Sequence, residues 1–230
     1  MPNISSEKLT IMGLDFSKPY EYENGFYLTT DSSRLAKSIA HWELYKQITD
    51  LPGSIVECGV FKGASLIRFA TFREMLESQE SRKIIGFDAF GKFPDTGEFK
   101  GDRDFISCFE SRSGVGLSKS DLEKIIIRKQ FRNVELIEGN IIDTIPKFIK
   151  SFPQTRISLL HIDVDVYEAT KAVLEHFYDL VVKDGIIVFD DYTSVNGGTK
   201  AIDEFFERKS INALIRKLPY YAVPSYIIKV

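Results

Sequence analysis

Four carboxylates stand in two short runs, Asp163-Val164-Asp165 and Asp190-Asp191, each directly after a stretch of β-forming apolar residues (157–162 and 185–189). Acids that close two core strands at the same end of a sheet repel one another unless protons or a cation intervene. A hard divalent cation such as Mg²⁺ takes oxygen ligands in octahedral geometry and commonly keeps waters or substrate oxygens. A single aspartate in such a place reads as a strand end or a helix cap; two clusters on two strands favour the metal. His161 precedes the first cluster and by alternation shares a face with Asp163 and Asp165. A satisfied core histidine is the favoured reading, with a general base as its other role.

A second stretch carries a different chemistry. Residues 54–65, SIVECGVFKGAS, read as a buried strand, a glycine-punctuated turn and a helix start. Gly59 and Gly63 let the chain turn sharply and a ligand come close. A helix over 64–77 aims its free N–H groups into that turn. The pattern is E-x-G-x-x-x-G, with Phe61 where a dinucleotide-binding turn carries a second glycine. A bulky residue there suits a cofactor without a pyrophosphate, such as S-adenosylmethionine. Asp88 closes the next strand, 83–90, where a carboxylate accepts hydrogen bonds from both ribose hydroxyls of an adenosine. The plain alternative is an acidic turn residue.

The rest of the chain has to position these residues. Residues 1–24 read as an N-terminal arm with a short strand, and 31–49 as a helix capped by Asp31 or Ser32, its apolar face built on Leu35, Ile39, Trp42 (with Leu44 and Tyr45) and Ile48. Residues 92–116 read as a long polar loop over the ligand crevice, a candidate lid. Further helices are expected from Ser118 or Ser120 to Lys129, over 142–152 with Pro146 in the first turn, over 168–180 and over 199–208. A third strand covers 134–137, and two antiparallel strands close the chain over 214–219 and 221–229. Asn196-Gly197-Gly198 reads as a turn, or as a second flexible lid. Strands alternating with helices give an α/β fold: a mostly parallel, seven-stranded sheet with helices on both faces and an antiparallel C-terminal strand.

The chain of 230 residues suits one domain, 1–230, in which 1–50 form the arm and first helix. Lys plus Arg number 30 against 33 Asp plus Glu, so the net charge of −3 leaves no footprint for nucleic acid or an anionic membrane. No apolar run reaches membrane-spanning length, and the first residues lack a basic stretch followed by an apolar one; a cytoplasmic protein is expected. Cys58, in a core strand, and Cys108, in the expected loop, suggest neither a disulfide nor a metal framework.

The stretches LTTDSSRL (28–35), GSIVECGVFKGAS (53–65), GFDAFGKFP (86–94), EGNIIDTIP (138–146), HIDVDVYEATKAVLEHFYDLVVKDGIIVFDDY (161–192) and TKAIDEFF (199–206) together resemble the macrocin O-methyltransferase (TylF-type) family. The resemblance implies a Rossmann-like class I methyltransferase fold and an O-methyltransferase dependent on S-adenosylmethionine and Mg²⁺. Position by position, it makes Asp163, Asp190 and Asp191 the metal ligands and Asp165 the general base, with His161 next in line. It makes Glu57, Gly59, Asp88 and the region of Thr30 cofactor contacts; Gly63, Ser65 and Asn140 complete the expected set. The implied partner is a small-molecule acceptor, a sugar hydroxyl or a vicinal diol, in natural-product or glycan-precursor chemistry. A homo-oligomer stays open. So do two other classes, an oxidoreductase binding NAD or a nucleotide sugar, and a catalytically silent cofactor-binding partner protein.

Overall fold

The computed structural model describes residues 9–94 and 99–230. A small hairpin, β1 (Thr10–Ile11) and β2 (Leu14–Asp15), leads into α1 (Pro19–Thr29) and α2 (Ser32–Lys46). There follow β3 (Ser54–Cys58), α3 (Ala64–Leu76), β4 (Ile84–Asp88), α4 (Lys100–Ser113), α5 (Lys119–Arg128), β5 (Val134–Glu138) and α6 (Ile141–Ser151). The chain then runs through β6 (Ile157–Ile162), α7 (Tyr167–Phe177), a 3₁₀ turn, β7 (Val181–Phe189), α8 (Asn196–Arg208), β8 (Arg216–Lys217) and β9 (Ser225–Ile228).

Seven strands form one sheet in the order β5-β4-β3-β6-β7-β9-β8. The first five are parallel; β9 pairs antiparallel with β7, and β8 with β9. Strand order reverses between β3 and β6, and the carboxyl ends flanking such a reversal are where open α/β sheets bind ligands. Two apolar layers cover the sheet. Leu44, Leu66, Phe69 and Leu122 pack α2, α3 and α5 on one face. Ile145, Val173 and Phe205 pack α6, α7 and α8 on the other. β6 is buried along its whole length, as a central parallel strand must be.

Four local expectations change. The N-terminal arm contains a helix, α1, with Pro19 in its first turn and no buried residue. Most of the predicted loop 92–116 is the helix α4; its apolar residues are too sparse to show a helical stripe, and part of the stretch lies outside the described residues. Pro146 sits inside α6, beyond the first turn. Asn196-Gly197-Gly198 is neither turn nor lid but the first turn of α8, with both glycines buried. Along α2 and just past it, Leu44, Tyr45 and Ile48 are buried as expected, but Leu35 and Ile39 are exposed, and Ala40 and His41 are buried in their place.

Candidate active site

A cleft of about 580 Å³ opens at the carboxyl ends of the central strands. Its lining includes Gly59 and Ser65 from the β3–α3 turn, Asp88 after β4, Asn140 after β5, Asp163 and Asp165 after β6, and Asp190 and Asp191 after β7. The two sequence motifs therefore meet. A Cβ at Gly59 (φ +90) would stand 1.7 Å from the carbonyl oxygen of Asp163, so glycine is what lets the β3–α3 turn rest on the acidic loop.

Asp163, Asp165 and Asp191 each present a carboxylate oxygen, and the three atoms lie within 4.8 Å of one another. Burial, then Asp190 and Asp191, push the Asp163 carboxyl well above its ordinary range. Burial, then Asp165, does the same to Asp191. Asp165 is pushed up to about 7 by burial and by Asp163. Converging oxygens that resist ionising together are a donor set that fits one hard divalent cation. The Asp165 backbone is left-handed (φ 60), and its N–H donates to Asp191 Oδ2 at 3.2 Å.

Asp190 turns the other way. Its Oδ2 accepts from Lys37 Nζ at 2.6 Å, and its Oδ1 lies 3.6 Å from His161 Nε2. Register explains the rest of this buried group. Glu57 on β3 sits opposite His161 on β6, and His161 Nδ1 donates to Glu57 Oε1 at 3.1 Å. Ser65 Oγ donates to the same oxygen. Burial pulls the Asp190 carboxyl upward, but His161 and Lys37 outweigh it and hold it below the usual carboxylate range. Burial likewise pulls His161 down, and the flanking Asp190 and Glu57 raise it to about 10.

One ring nitrogen each of His41 and His161 and a carboxylate oxygen of Asp190 also converge within 4.8 Å. This group is not suited to a metal. Arg68 Nη1 lies 3.0 Å from His41 Nδ1, and a guanidinium only donates, so Nδ1 accepts and the neutral ring carries its proton on Nε2. That nitrogen has no lone pair to offer. Burial, with the charges of His161 and Arg68, keeps the ring neutral by holding its pKa well below the ordinary value.

Asp88 is engaged with the main chain. Its Oδ2 accepts from the N–H groups of Val60 and Phe61 at 2.7 and 2.8 Å, and its Oδ1 from Phe90 at 2.6 Å. A carboxylate has about four lone-pair positions, so one remains for a ribose hydroxyl. Asn140 caps α6 through Ile142 N. Glu57 and His161 are wholly buried, beneath the cleft rather than on its wall. Gly63 caps α3 and packs on Leu122, and Thr30, which ends α1, does not line the cleft.

Sequence reasoning missed Lys37, His41 and Arg68. The signal was present on α2: positions 37, 41, 44, 45 and 48 recur at helical spacing, and the first two of that buried stripe are Lys and His.

Comparisons with known proteins bear on the family and the fold. The macrocin O-methyltransferase (TylF) family profile matches residues 33–224. Demethyldecarbamoylnovobiocin O-methyltransferase of Streptomyces niveus is 30% identical over 167 residues, which are 68% of this chain and 59% of that protein. The chain thus spans about three fifths of the length of that curated relative. Among solved structures, apo CalS11, a TDP-rhamnose 3′-O-methyltransferase of calicheamicin biosynthesis, has a TM-score of 0.66 at 28% identity, covering 91% of this chain and 86% of its own. The O-methyltransferase NovP shares the fold with a TM-score of 0.73 at 22% identity, over 85% of this chain and 80% of its own. The family match covers most of the chain and places this protein in the macrocin O-methyltransferase (TylF) family.

Proposed function

We propose that the protein transfers the methyl group of S-adenosylmethionine to a hydroxyl of a sugar-bearing small molecule, with Mg²⁺ at the acidic cluster. The observation that carries this reading is the junction of the Gly59 turn and the converging oxygens of Asp163, Asp165 and Asp191 in one cleft. The names of the relatives, which concern a novobiocin precursor and TDP-rhamnose, support a sugar acceptor.

S-adenosylmethionine supplies a methyl group already activated as a sulfonium. Mg²⁺, when bound, supplies a Lewis acid that lowers the pKa of an acceptor hydroxyl and orients it. The protein does the rest. Asp163 and Asp191 would hold the cation. Asp190, which the family pattern adds to that set, has Lys37 on its Oδ2 and would join once that ammonium gives way. Asp165 would take the acceptor proton as general base. Asp88 and the Gly59 turn would seat the adenosine, so that the methyl and the acceptor oxygen meet in line. A vicinal diol fits this arrangement better than a lone hydroxyl.

Calorimetry with S-adenosylmethionine and with NAD, each with and without Mg²⁺, tests the reading. Binding of S-adenosylmethionine alone is expected, with Mg²⁺ binding independently. Methyl transfer is then followed by mass spectrometry with TDP-rhamnose, rhamnosides and catechols as acceptors. Cofactor binding with no transfer to any of these would favour the silent binding protein.

A further inference from the structure

Asp102 is the only buried residue of α4, a helix otherwise turned to solvent or to the cleft. A carboxylate that is 2% exposed on such a helix needs a partner. Asp102 finds it on another element: its Oδ2 accepts from the N–H of Tyr167, the first residue of α7, at 2.8 Å. The N-cap residue of α7, Val166, has no side chain able to do this, so Asp102 caps the helix from outside. The ring of Phe99, which precedes α4, stacks on Tyr167 with centroids 5.4 Å apart.

The start of α8 is shaped around the same carboxylate. A Cβ on Gly197 would stand 2.1 Å from Asp102 Oδ1 and 2.9 Å from Tyr167 N. Its neighbour Gly198 donates its N–H to the carbonyl of Asp165 at 2.9 Å, and a Cβ there would press on that oxygen at 3.0 Å. The paired glycines admit Asp102 from one side and the Asp165 peptide from the other. Asp165 needs the support, because its left-handed backbone is an unfavourable conformation for a residue with a Cβ.

We propose that Asp102 is a positioning residue for Asp165. From α4 it caps the first turn of α7 and packs against Gly197 in the first turn of α8, whose Gly198 holds the Asp165 carbonyl. α4 is also docked at its far end, where Lys62 Nζ donates to the carbonyl of Ser113 and Phe109 packs on Phe61. The helix therefore joins the cofactor turn to the loop that carries the base. The proposal rests on the methyl-transfer reading only for its kinetic consequences.

Three variants test it. Asp102→Ala removes the acceptor, Asp102→Asn keeps an oxygen able to accept from Tyr167 N, and Gly197→Ala displaces the carboxylate although alanine is the better helix former. Amide hydrogen exchange needs no substrate. Exchange at 163–168 and 196–199 should rise in Asp102→Ala and Gly197→Ala and stay close to wild type in Asp102→Asn. In methyl transfer, Asp102→Ala should lose on the order of 10²-fold in kcat with the affinity for S-adenosylmethionine unchanged, since small misplacements of a reacting group cost that much. Asp102→Asn should restore most of the loss. In an Asp165→Asn background, Asp102→Ala should add little, because a support has no effect once its client is gone. Unchanged exchange in Asp102→Ala overturns the proposal. So does an asparagine variant as impaired as the alanine one, or a loss that multiplies in full with Asp165→Asn. If no acceptor is methylated, exchange still decides the positioning, and only the reading of function falls.

Discussion

Asp190 and Asp191 are neighbours in the chain and belong to opposite electrostatic worlds. Asp190 faces the α2–α3 side of the sheet, between Lys37 at 2.6 Å and His161 at 3.6 Å, with Glu57 behind the histidine. Charges alternate there, and each ionised group touches its opposite. Asp191 faces the cleft, where one of its carboxylate oxygens lies within 4.8 Å of those of Asp163 and Asp165. Lys37 reaches Asp163 only at 4.0 Å. One group is neutralised within the fold; in the other, acids face acids. A site built for a ligand leaves its electrostatics unfinished in this way, whereas a structural network does not.

Breaking the buried group should cost most. Asp190→Ala leaves Lys37 and His161 facing each other without a carboxylate, and removing one partner of a buried ionic pair costs about 3–5 kcal/mol. Chemical denaturation of the metal-free protein measures this. Asp163→Asn, the parallel change in the open cluster, should leave metal-free stability equal or higher, because it removes a repulsion. Equal destabilisation by the two would erase the distinction between the groups.

Activity should show the reverse ranking. Asp165→Asn cannot take the acceptor's proton and should lower kcat by roughly 10²–10⁴-fold, the range for positioned general bases. Extra Mg²⁺ should not rescue it, but should partly rescue Asp163→Asn and Asp191→Asn, whose defect is weakened metal binding. A Mg²⁺ titration under steady-state conditions separates the two. Should Asp165→Asn respond to Mg²⁺ like the others, its carboxylate is a ligand, and the base lies elsewhere. Lys37→Met sharpens the role of Asp190: tighter Mg²⁺ binding in that variant would mark Asp190 as a ligand freed from its ammonium.

Much of this was legible in the sequence, and the reasons it stopped are physical. The strands were readable because central parallel strands are short continuous apolar runs, as in ISLLHI (157–162). Acids after such runs had to gather at one end of the sheet. The side of the strand end to which each acid turns was not readable, because alternation fails once the strand ends. α4 was missed because a helix that buries one aspartate and otherwise faces solvent has no apolar stripe. The buried polar stripe on α2 was hidden by the more conspicuous, exposed Leu35 and Ile39.

The cofactor end of the cleft should respond more weakly. Asp88→Ala removes the acceptor proposed for the ribose, and a hydrogen bond to a charged group contributes about 1.5–3 kcal/mol. Three of the lone-pair positions of Asp88 serve Val60, Phe61 and Phe90, so the variant should also loosen the β3–α3 turn. Calorimetry with S-adenosylmethionine checks the first effect. Cofactor affinity equal to wild type would leave Asp88 as a brace for the turn and nothing more.

The smallest effect concerns pH, and it reads the open cluster directly. In the metal-free protein the Asp165 carboxyl lies at about 7, against an ordinary value of 3.8. A carboxyl raised in the folded state binds its proton more tightly there than in the unfolded chain. Its contribution to stability is therefore complete below about pH 4 and is lost as pH rises through about 7. Asp163 and Asp191 are shifted in the same direction and add to the decline. The melting temperature of the metal-free protein should fall across this window, by about 2–4 °C for each kcal/mol lost in a chain of this size. Mg²⁺ binds the ionised cluster and displaces its protons, so loading should release protons at pH 7, and its affinity should grow with pH. The metal should accordingly raise the melting temperature more at pH 8 than at pH 6. The buried group adds its own slope. Asp190 is shifted the other way and lies far from its titration at pH 6 to 8. His161, raised to about 10, loses stabilisation as pH rises above about 6.5. The slope of the open cluster is therefore the part that Asp165→Asn removes. A melting temperature that is flat from pH 5 to 8 without metal would mean that the three carboxylates do not share a charge deficit, and the contrast between Asp190 and Asp191 would lose its electrostatic basis.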